Sequence, residues 1–414
     1  MCFEWICCPI FAVQFSKMDI LAQRVHVINE PQTIAMSKMA RALMETGVDV
    51  VNLSLGEPDF NTPAHIKQAA KDAIDQNFTF YTPVAGYPEL RQAISKKFLR
   101  DNNLNYAPDQ IMVSTGAKHA IMNSIMAIIN PGDEVIIPTP YWVSYSEMVK
   151  LMGGIPVFIA GTLANNYKIT PEQLEASITT KSKAFLFSSP CNPTGSVYSY
   201  KELEALVKVF DKYPDIFIIS DEIYEYINFV GKHVSIGSFE SMKNRVITIN
   251  GLSKGFSMTG WRLGYMGAPK DIAVACEKIQ GQYTSGANSI TQKAAVAAIN
   301  GSLEPTYAMV EAFKRRRKLF LEGLQTIPDL ICNNPEGAFY IFPNIKAFLG
   351  KSFEGEKINT ATDLCLYLLN KGHVSTVSGD AFGEPDCIRI SYATSDEKLT
   401  IAIGRIGKAL GDLK

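Results

Sequence analysis

The sequence predicts an α/β protein built on a largely parallel sheet. Three observations carry that expectation. Short apolar, β-branched runs alternate with stretches of helical apolar spacing through the middle of the chain. Most of those runs stop at a glycine turn, a proline or a charged residue. From about residue 303 the alternation gives way to long helical stretches with isolated strand-like runs. The expected organisation is a large domain at residues 67–302 and a smaller α+β domain at 303–414. Residues 18–66 complete the smaller domain, and residues 1–17 form an N-terminal extension.

The elements follow in order. Residues 33–47 (TIAMSKMARALMETG) have helical apolar spacing, and VDVVNLSLGEPDF is a strand running into a Gly56-Glu57-Pro58 turn. Pro63 opens a helix from Ala64 to Asp75. FTFYTPVAGYPELRQAI is a Gly/Pro-rich loop entering a second helix. The β-then-α units come next: QIMVSTGAKHAIMNSIMAIINPGD, DEVIIPTPYW, KAFLFSSPCNPTG, DIFIISDEIYEYI and VITINGLSKGFSMTGWRLGYMGAP. Beyond residue 303 the pattern predicts a helix from Tyr307 to Gln325, a strand in GAFYIFPNI, a helix from Thr360 to Lys371 and a strand in CIRISYA.

Composition narrows the class. The chain has 414 residues, enough for two or three domains with sizeable cores. Apolar residues make up 47% and charged ones 20%, as in ordinary globular proteins. A net charge of -1 offers no electrostatic case for nucleic acid or an anionic membrane. Eight cysteines lack metal or disulfide spacing, which points to reduced thiols and a cytoplasmic protein. The five histidines show no paired ligand spacing, so no metal is expected. The first 17 residues are apolar, carry Glu4 and lack a basic region. They make a poor signal peptide, are too short to span a membrane, and are expected to have no catalytic role. The basic run KRRRK, residues 314–318, sits among helically spaced Val310, Phe313, Phe320 and Leu324 and reads as a solvated helix flank.

In open α/β sheets ligands bind beyond the carboxyl ends of the strands. After IMVS comes Ser114-Thr115-Gly116-Ala117-Lys118, opening a helix whose free N–H groups suit a phosphate. Such a turn can equally serve packing alone. After EVIIP come Tyr141 and Trp142, aromatic faces or plain core. After AFLF comes Asn192-Pro193-Thr194-Gly195, in isolation a simple turn. After FIIS comes Asp221, with Tyr224 three residues on. An acid there either caps a helix or meets a cationic ligand. In the last unit a buried run, Val246 to Ile249, leads to Ser253-Lys254 bracketed by Gly251 and Gly255. A second strand-like run, Trp261 to Met266, carries Arg262. Alone, Lys254 reads as an exposed turn lysine; the alternative is a half-buried amine of lowered pKa, suited to bonding a carbonyl.

The plain readings do not explain why all these groups occur together. One ligand would use them all: pyridoxal phosphate. Its phosphate would take the helix N-terminus and Arg262, its pyridinium Asp221, its phenolate Asn192 and Tyr224, its ring face Trp142, and its aldehyde Lys254.

NPTG, SDEIYE and SKGFSMTGWRLGY, in that order, resemble the class I and II (fold type I) aminotransferases, over nearly the whole chain from Met18. Within them the chain looks most like the bacterial aspartate aminotransferase branch, some members of which accept prephenate. The resemblance implies the fold type I architecture, with a mostly parallel seven-stranded sheet flanked by helices plus a smaller α+β domain. It implies pyridoxal 5'-phosphate and a ping-pong transfer of the amino group from L-aspartate to 2-oxoglutarate. A preference for prephenate, aromatic or other amino acids is the alternative. Lys254, Asp221 and Tyr224 become the catalytic set. Gly116, Ala117, Lys118, Ser253 and Arg262 join Trp142 and Asn192 at the cofactor. Tyr81, in YTPVAGYPELR, resembles a tyrosine that reaches the phosphate of a neighbouring subunit, which implies a homodimer with shared sites. Gly56, Trp142 and Asn192 resemble substrate contacts, and Arg389 in IRISYA the arginine that grips the substrate α-carboxylate. No motif identifies the cation for a distal carboxylate; Arg24 and Lys118 are the candidates. A dinucleotide-binding dehydrogenase would need a GxGxxG turn after a strand, and none occurs. A regulator built on this fold would need a basic DNA-binding extension, which residues 1–17 do not supply.

Overall fold

The computed structural model describes residues 20–30 and 32–414, so the expected extension at 1–17 lies outside the described residues. Seven strands form one sheet: β1 (Ile111–Ser114), β2 (Glu134–Thr139), β3 (Ile155–Ala160), β4 (Ser182–Ser188), β5 (Phe217–Asp221), β6 (Val246–Gly251) and β7 (Gly264–Gly267). Their order is β1-β7-β6-β5-β4-β2-β3. Only β7 among the seven runs against its neighbours. The expected α/β class with a mostly parallel sheet is therefore the observed one.

The strand sequences explain the burial. Every residue of β1 and β6 is buried, because helices cover both faces and an alternating pattern would put polar side chains into a core. Ile121, Ile125, Ile137, Leu186 and Ile249 pack on one face, and Ile136, Phe185, Leu206, Phe210 and Ile218 on the other. The carboxyl ends of β1, β2, β4, β5 and β6 consequently open on one edge.

Two expectations change. The run from Trp261 to Met266 is a strand only from Gly264. Trp261 ends a tight turn, Thr259–Trp261, and Arg262 follows it with φ +53°. That left-handed backbone is incompatible with a strand. Tertiary bonds hold the turn: Trp261 Nε1 donates to Thr62 Oγ1 at 3.1 Å, and Arg262 to the Thr259 carbonyl at 3.0 Å. Gly264 must be glycine, because a Cβ there would lie 2.2 Å from the Ala117 nitrogen.

The basic run is the second change. It lies on helix Glu304–Leu324, but Arg316 is buried. Its guanidinium makes two bonds to Asp59, at 2.7 and 3.0 Å, and a third to Asp396 at 3.4 Å. Arg315 also pairs with Asp396, at 2.8 Å. Lys314 and Lys318 keep the solvated role. The acids come from positions 59 and 396, so no local window reveals the pairing.

The remaining elements pack beside the large sheet. Val51–Asn52 pairs in parallel with Val374–Ser375. Val377–Ser378, Ile388–Ser391 and Tyr340–Ile341 form a three-stranded antiparallel sheet. Helices Gln32–Glu45, Glu304–Leu324, Ala361–Asn370 and Asp396–Gly411 surround these strands. Met36, Val51, Phe313, Phe320, Leu364, Leu368, Leu399 and Ile406 share one core, so the segments before residue 60 and after 303 are packed as one body. No helix among the described residues is long and apolar enough to cross a membrane.

Candidate active site

The carboxyl edge of the sheet meets the smaller body at a cavity of about 320 Å³, within the range of small-molecule sites. Each strand end contributes by its local geometry. β1 stops at Ser114, and Gly116, at φ +88°, turns the chain into helix Ala117–Ile128. A Cβ on Gly116 would sit 2.6 Å from an Arg262 nitrogen, so the guanidinium lies directly on the turn. This combination of free helix N–H groups and a cation is an anion cradle. Ala117, Lys118 and Arg262 line the cavity beside it.

β5 ends on Asp221, whose carboxylate is buried and faces the cavity. It accepts from the Tyr145 hydroxyl at 2.8 Å and from the Ile223 nitrogen at 3.2 Å. Burial pushes its pKa up to about 6, against the pull of those two donors. A buried carboxylate so placed favours a cation brought by a ligand. Trp142 lines the cavity, with its ring edge-on to Tyr145 at 5.4 Å, and the Lys118 ammonium lies 4.8 Å from the Trp142 ring centre.

β6 delivers Ser253 and Lys254 to the cavity floor. The lysine ammonium is inside the protein, donating to the Gly56 carbonyl. Burial brings its pKa down to about 8; Glu57 opposes this, and the nearby charges of Arg389 and Arg262 add to it. The reading of Lys254 as an exposed turn residue is thereby excluded. Tyr224 also lines the cavity, and its hydroxyl is 2.8 Å from that of Tyr340.

The smaller body supplies the opposite wall. Arg389 is 2% exposed, yet one guanidinium nitrogen donates to Asn192 Oδ1 at 3.0 Å and another to the Ser54 carbonyl at 2.6 Å. Its Cζ lies 4.6 Å from the Tyr340 ring centre, and its Nε has no partner among the described residues. A buried guanidinium without a carboxylate is electrostatically incomplete, and burial pulls its pKa below the ordinary arginine value. Gly56 lines the cavity where a side chain would strike the Tyr340 hydroxyl, 2.7 Å from a Cβ.

Lys254, Asp221, Tyr224, Ala117, Lys118, Trp142, Asn192, Ser253, Arg262, Gly56 and Arg389 thus line one cavity, with Gly116 immediately beneath it. Two candidates do not join them. Tyr81 is 98% exposed, and Arg24 is exposed on the short helix Gln23–His26. Sequence reasoning missed Tyr145, Tyr340, Glu57 and Ser188, which line it as well. Tyr145 carried a usable signal, since it follows Trp142 by three residues and so returns to the same strand end.

Comparison with known proteins agrees with this geometry. The family model for aminotransferase class I and II matches residues 48–406. A Petunia hybrida protein, the bifunctional aspartate aminotransferase and glutamate/aspartate-prephenate aminotransferase, is 46% identical over 406 residues, covering 96% of this chain and 84% of that one. The crystal structure of the aspartate aminotransferase from Rhizobium meliloti superposes with a TM-score of 0.92 at 43% identity, over 95% of this chain and 99% of that one. The Thermus thermophilus aspartate aminotransferase with maleate gives 0.88 at 38% identity, over 94% and 99%. Fold, site and motifs converge, and the chain belongs to the class I and II aminotransferases.

Proposed function

We propose that this protein is a pyridoxal phosphate-dependent aspartate aminotransferase, moving the amino group of L-aspartate to 2-oxoglutarate. The observation that carries the reading is one cavity lined by a half-buried lysine, a buried carboxylate and a buried guanidinium. Pyridoxal phosphate suits the residues present. Among the described residues Asp221 has no cationic partner at hydrogen-bond distance, and the Gly116 turn under Arg262 is an anion cradle that a Cβ would fill. Arg262 with the 116–118 turn would hold the phosphate, Asp221 the ring nitrogen, Asn192 and Tyr224 the ring oxygen, Trp142 the ring face, and Lys254 the aldehyde. When bound, the cofactor supplies an electron-withdrawing ring that accepts charge from the substrate Cα.

The chain's own groups do the rest. Arg389 binds the substrate α-carboxylate through its fork, with Asn192 and Tyr340 keeping the guanidinium in orientation. Lys254 Nζ, neutral in a substantial fraction near pH 8, takes the Cα proton and later returns one. Tyr145 keeps Asp221 oriented and favours its anion. Lys118, at the cavity wall, is the better candidate for a distal carboxylate than Arg24, which is not part of the lining. The relatives support a dicarboxylic substrate: several are named for aspartate, some also for prephenate, and the Thermus structure holds maleate.

We further propose a homodimer in which Tyr81 reaches the phosphate of the other subunit, since its exposure within one chain leaves it free to do so. The division into 67–302 and a body made of 18–66 with 303–414 is retained on the same footing, supported by a core that joins 36–53 to 309–413 and takes from 67–302 only Tyr224 and Ile227 as buried members. A cytoplasmic location suits cysteines that are free wherever they are described.

An amino-donor panel tests the function. Aspartate with 2-oxoglutarate is expected to give parallel double-reciprocal lines and to exceed tyrosine and alanine in kcat/KM. Turnover of no donor by the loaded protein would end the reading, and a marked preference for prephenate as acceptor would move it to the alternative. Tyr145→Phe should weaken cofactor retention by about tenfold or more, the loss of one hydrogen bond to a charged group, as measured by equilibrium dialysis. Unchanged retention would remove Tyr145 from the site's machinery. Tyr81→Ala should leave the Tm of the chain near wild type and weaken cofactor retention; wild-type retention would argue against a shared site.

A further inference from the structure

Beneath the site lies a group of charges, two of them buried, that the chemistry above does not use. Lys97, on helix Pro88–Asn102, is 1% exposed and forms an ion pair with Glu225, 3% exposed. Lys97 Nζ also donates to Asn102 Oδ1 at 2.8 Å, and Asn102 Nδ2 donates to the second Glu225 oxygen at 2.7 Å. Asp101 lies 4.0 Å from the Lys97 ammonium and is bonded by Arg100 at 2.6 Å. Two cations and two anions therefore balance.

Stability is a weak reason for such a cluster, because an apolar replacement of similar volume often folds as well or better. Its location suggests another role. Residues 222–229 leave β5 as successive turns, closed by Glu225 N to Glu222 O at 2.9 Å and Ile227 N to Tyr224 O at 2.8 Å. They form no helix or strand themselves; backbone bonds tie them to their surroundings at Glu222, to the Ile249 carbonyl at 2.9 Å, and at Ile227 and Phe229, to Ala338 and Glu336 at 2.8 Å each. Glu225 stands between two tyrosines that touch the Lys254 turn. The Lys254 ammonium is 5.8 Å from the Tyr224 ring centre. The Tyr226 ring lies against Gly255, where a Cβ would come within 2.6 Å of it, and is edge-on to Phe256. The Tyr226 hydroxyl donates to Asp101 at 2.7 Å, and Lys97 lies 5.4 Å from the Tyr226 ring centre.

We propose that Lys97, by clamping Glu225 and the 224–226 segment, is a positioning residue that sets where Lys254 and Tyr224 stand in the active site. The proposal rests on Lys254 being the reacting amine. A lysine on a separate helix is suited to the task because its charge fixes Glu225 in one place while the aromatic rings alone can slide.

The test uses the full chain as Lys97→Met with Glu225→Met, removing both charges while keeping the volume. In the cofactor-loaded enzyme, kcat should fall about tenfold with the donor KM within about threefold, the effect of a small misplacement, while Tm stays within about 5 °C. In the cofactor-free protein, the pH midpoint for labelling Lys254 with formaldehyde and borohydride, read by peptide mass spectrometry, should rise from about 8 by roughly half a pH unit as water gains access. Wild-type kcat and midpoint in the folded double variant would overturn the proposal. If that variant does not fold, Lys97→Gln with Glu225→Gln decides, since it removes both charges and keeps polar partners for Asn102: a raised midpoint supports the clamp and an unchanged one refutes it. The labelling midpoint requires no transamination, so a failed donor panel and a failed clamp are separate results.

Discussion

Lys254→Met is expected to abolish transamination, by at least about 10⁴-fold, and at the same time to stabilise the cofactor-free protein at neutral pH. The first effect follows from loss of the amine that bonds the cofactor and moves the proton. The second follows from burial. The lysine pKa falls from 10.5 to about 8 in the folded chain, so the native state holds the charged form poorly. Between those two values the unfolded chain binds more protons than the folded one. Stability therefore rises with pH across that window, and the full penalty, roughly 3 kcal/mol, is present below about pH 8. Methionine removes it. The variant should unfold at higher denaturant than wild type at pH 6.5, with the gap closing as pH approaches 10.5. An unfolding midpoint below wild type at pH 6.5 would show that the contact with the Gly56 carbonyl outweighs desolvation. Retained activity would remove Lys254 from the chemistry altogether.

Arg389→Leu should raise the KM for the amino donor by about 10²-fold or more, with a smaller change in cofactor retention. Truncating one partner of a buried charge pair costs about 2–5 kcal/mol, largely because the substrate carboxylate is left without its counter-ion. The free enzyme should not lose stability in proportion, since the guanidinium is buried there with only Asn192, Ser54 and aromatic faces around it. Arg389→Lys should fall between, keeping the charge and losing the two-pronged geometry. Steady-state kinetics with aspartate and with alanine check both: each donor carries an α-carboxylate, so both KM values should rise. A donor KM unchanged in Arg389→Leu would place carboxylate recognition elsewhere.

How far the sequence reaches can be judged from particular residues. Lys254, Asp221, Asn192 and the Gly116 turn were legible because each sits at a strand end whose boundaries are set locally, by apolar runs and by glycine. Parallel strands then carry those ends to one edge. Arg389 was legible only through family resemblance, since IRISYA alone describes an ordinary strand. Arg262, read as a phosphate ligand within a strand, lines the cavity but lies in a turn, because that turn depends on Thr62, 199 residues from Trp261. Tyr340 and Glu57 were missed for the same reason: nothing nearby in the chain distinguishes them from core or surface residues.

Patterning and turn chemistry, which act over a few residues, determined the α/β class, the strand ends and the set of side chains delivered to them. The tertiary structure decided what those side chains are chemically. An exposed lysine and a half-buried one share the sequence Ser-Lys-Gly; the difference is the Gly56 carbonyl, 198 residues away, and the desolvation that lowers the amine's pKa. It likewise made Arg315 and Arg316 of KRRRK a brace, by bringing Asp59 to 2.7 Å from Arg316 and Asp396 to 2.8 Å from Arg315. Electrostatic character depends on distance through space and on access to water, and neither quantity is written along the chain.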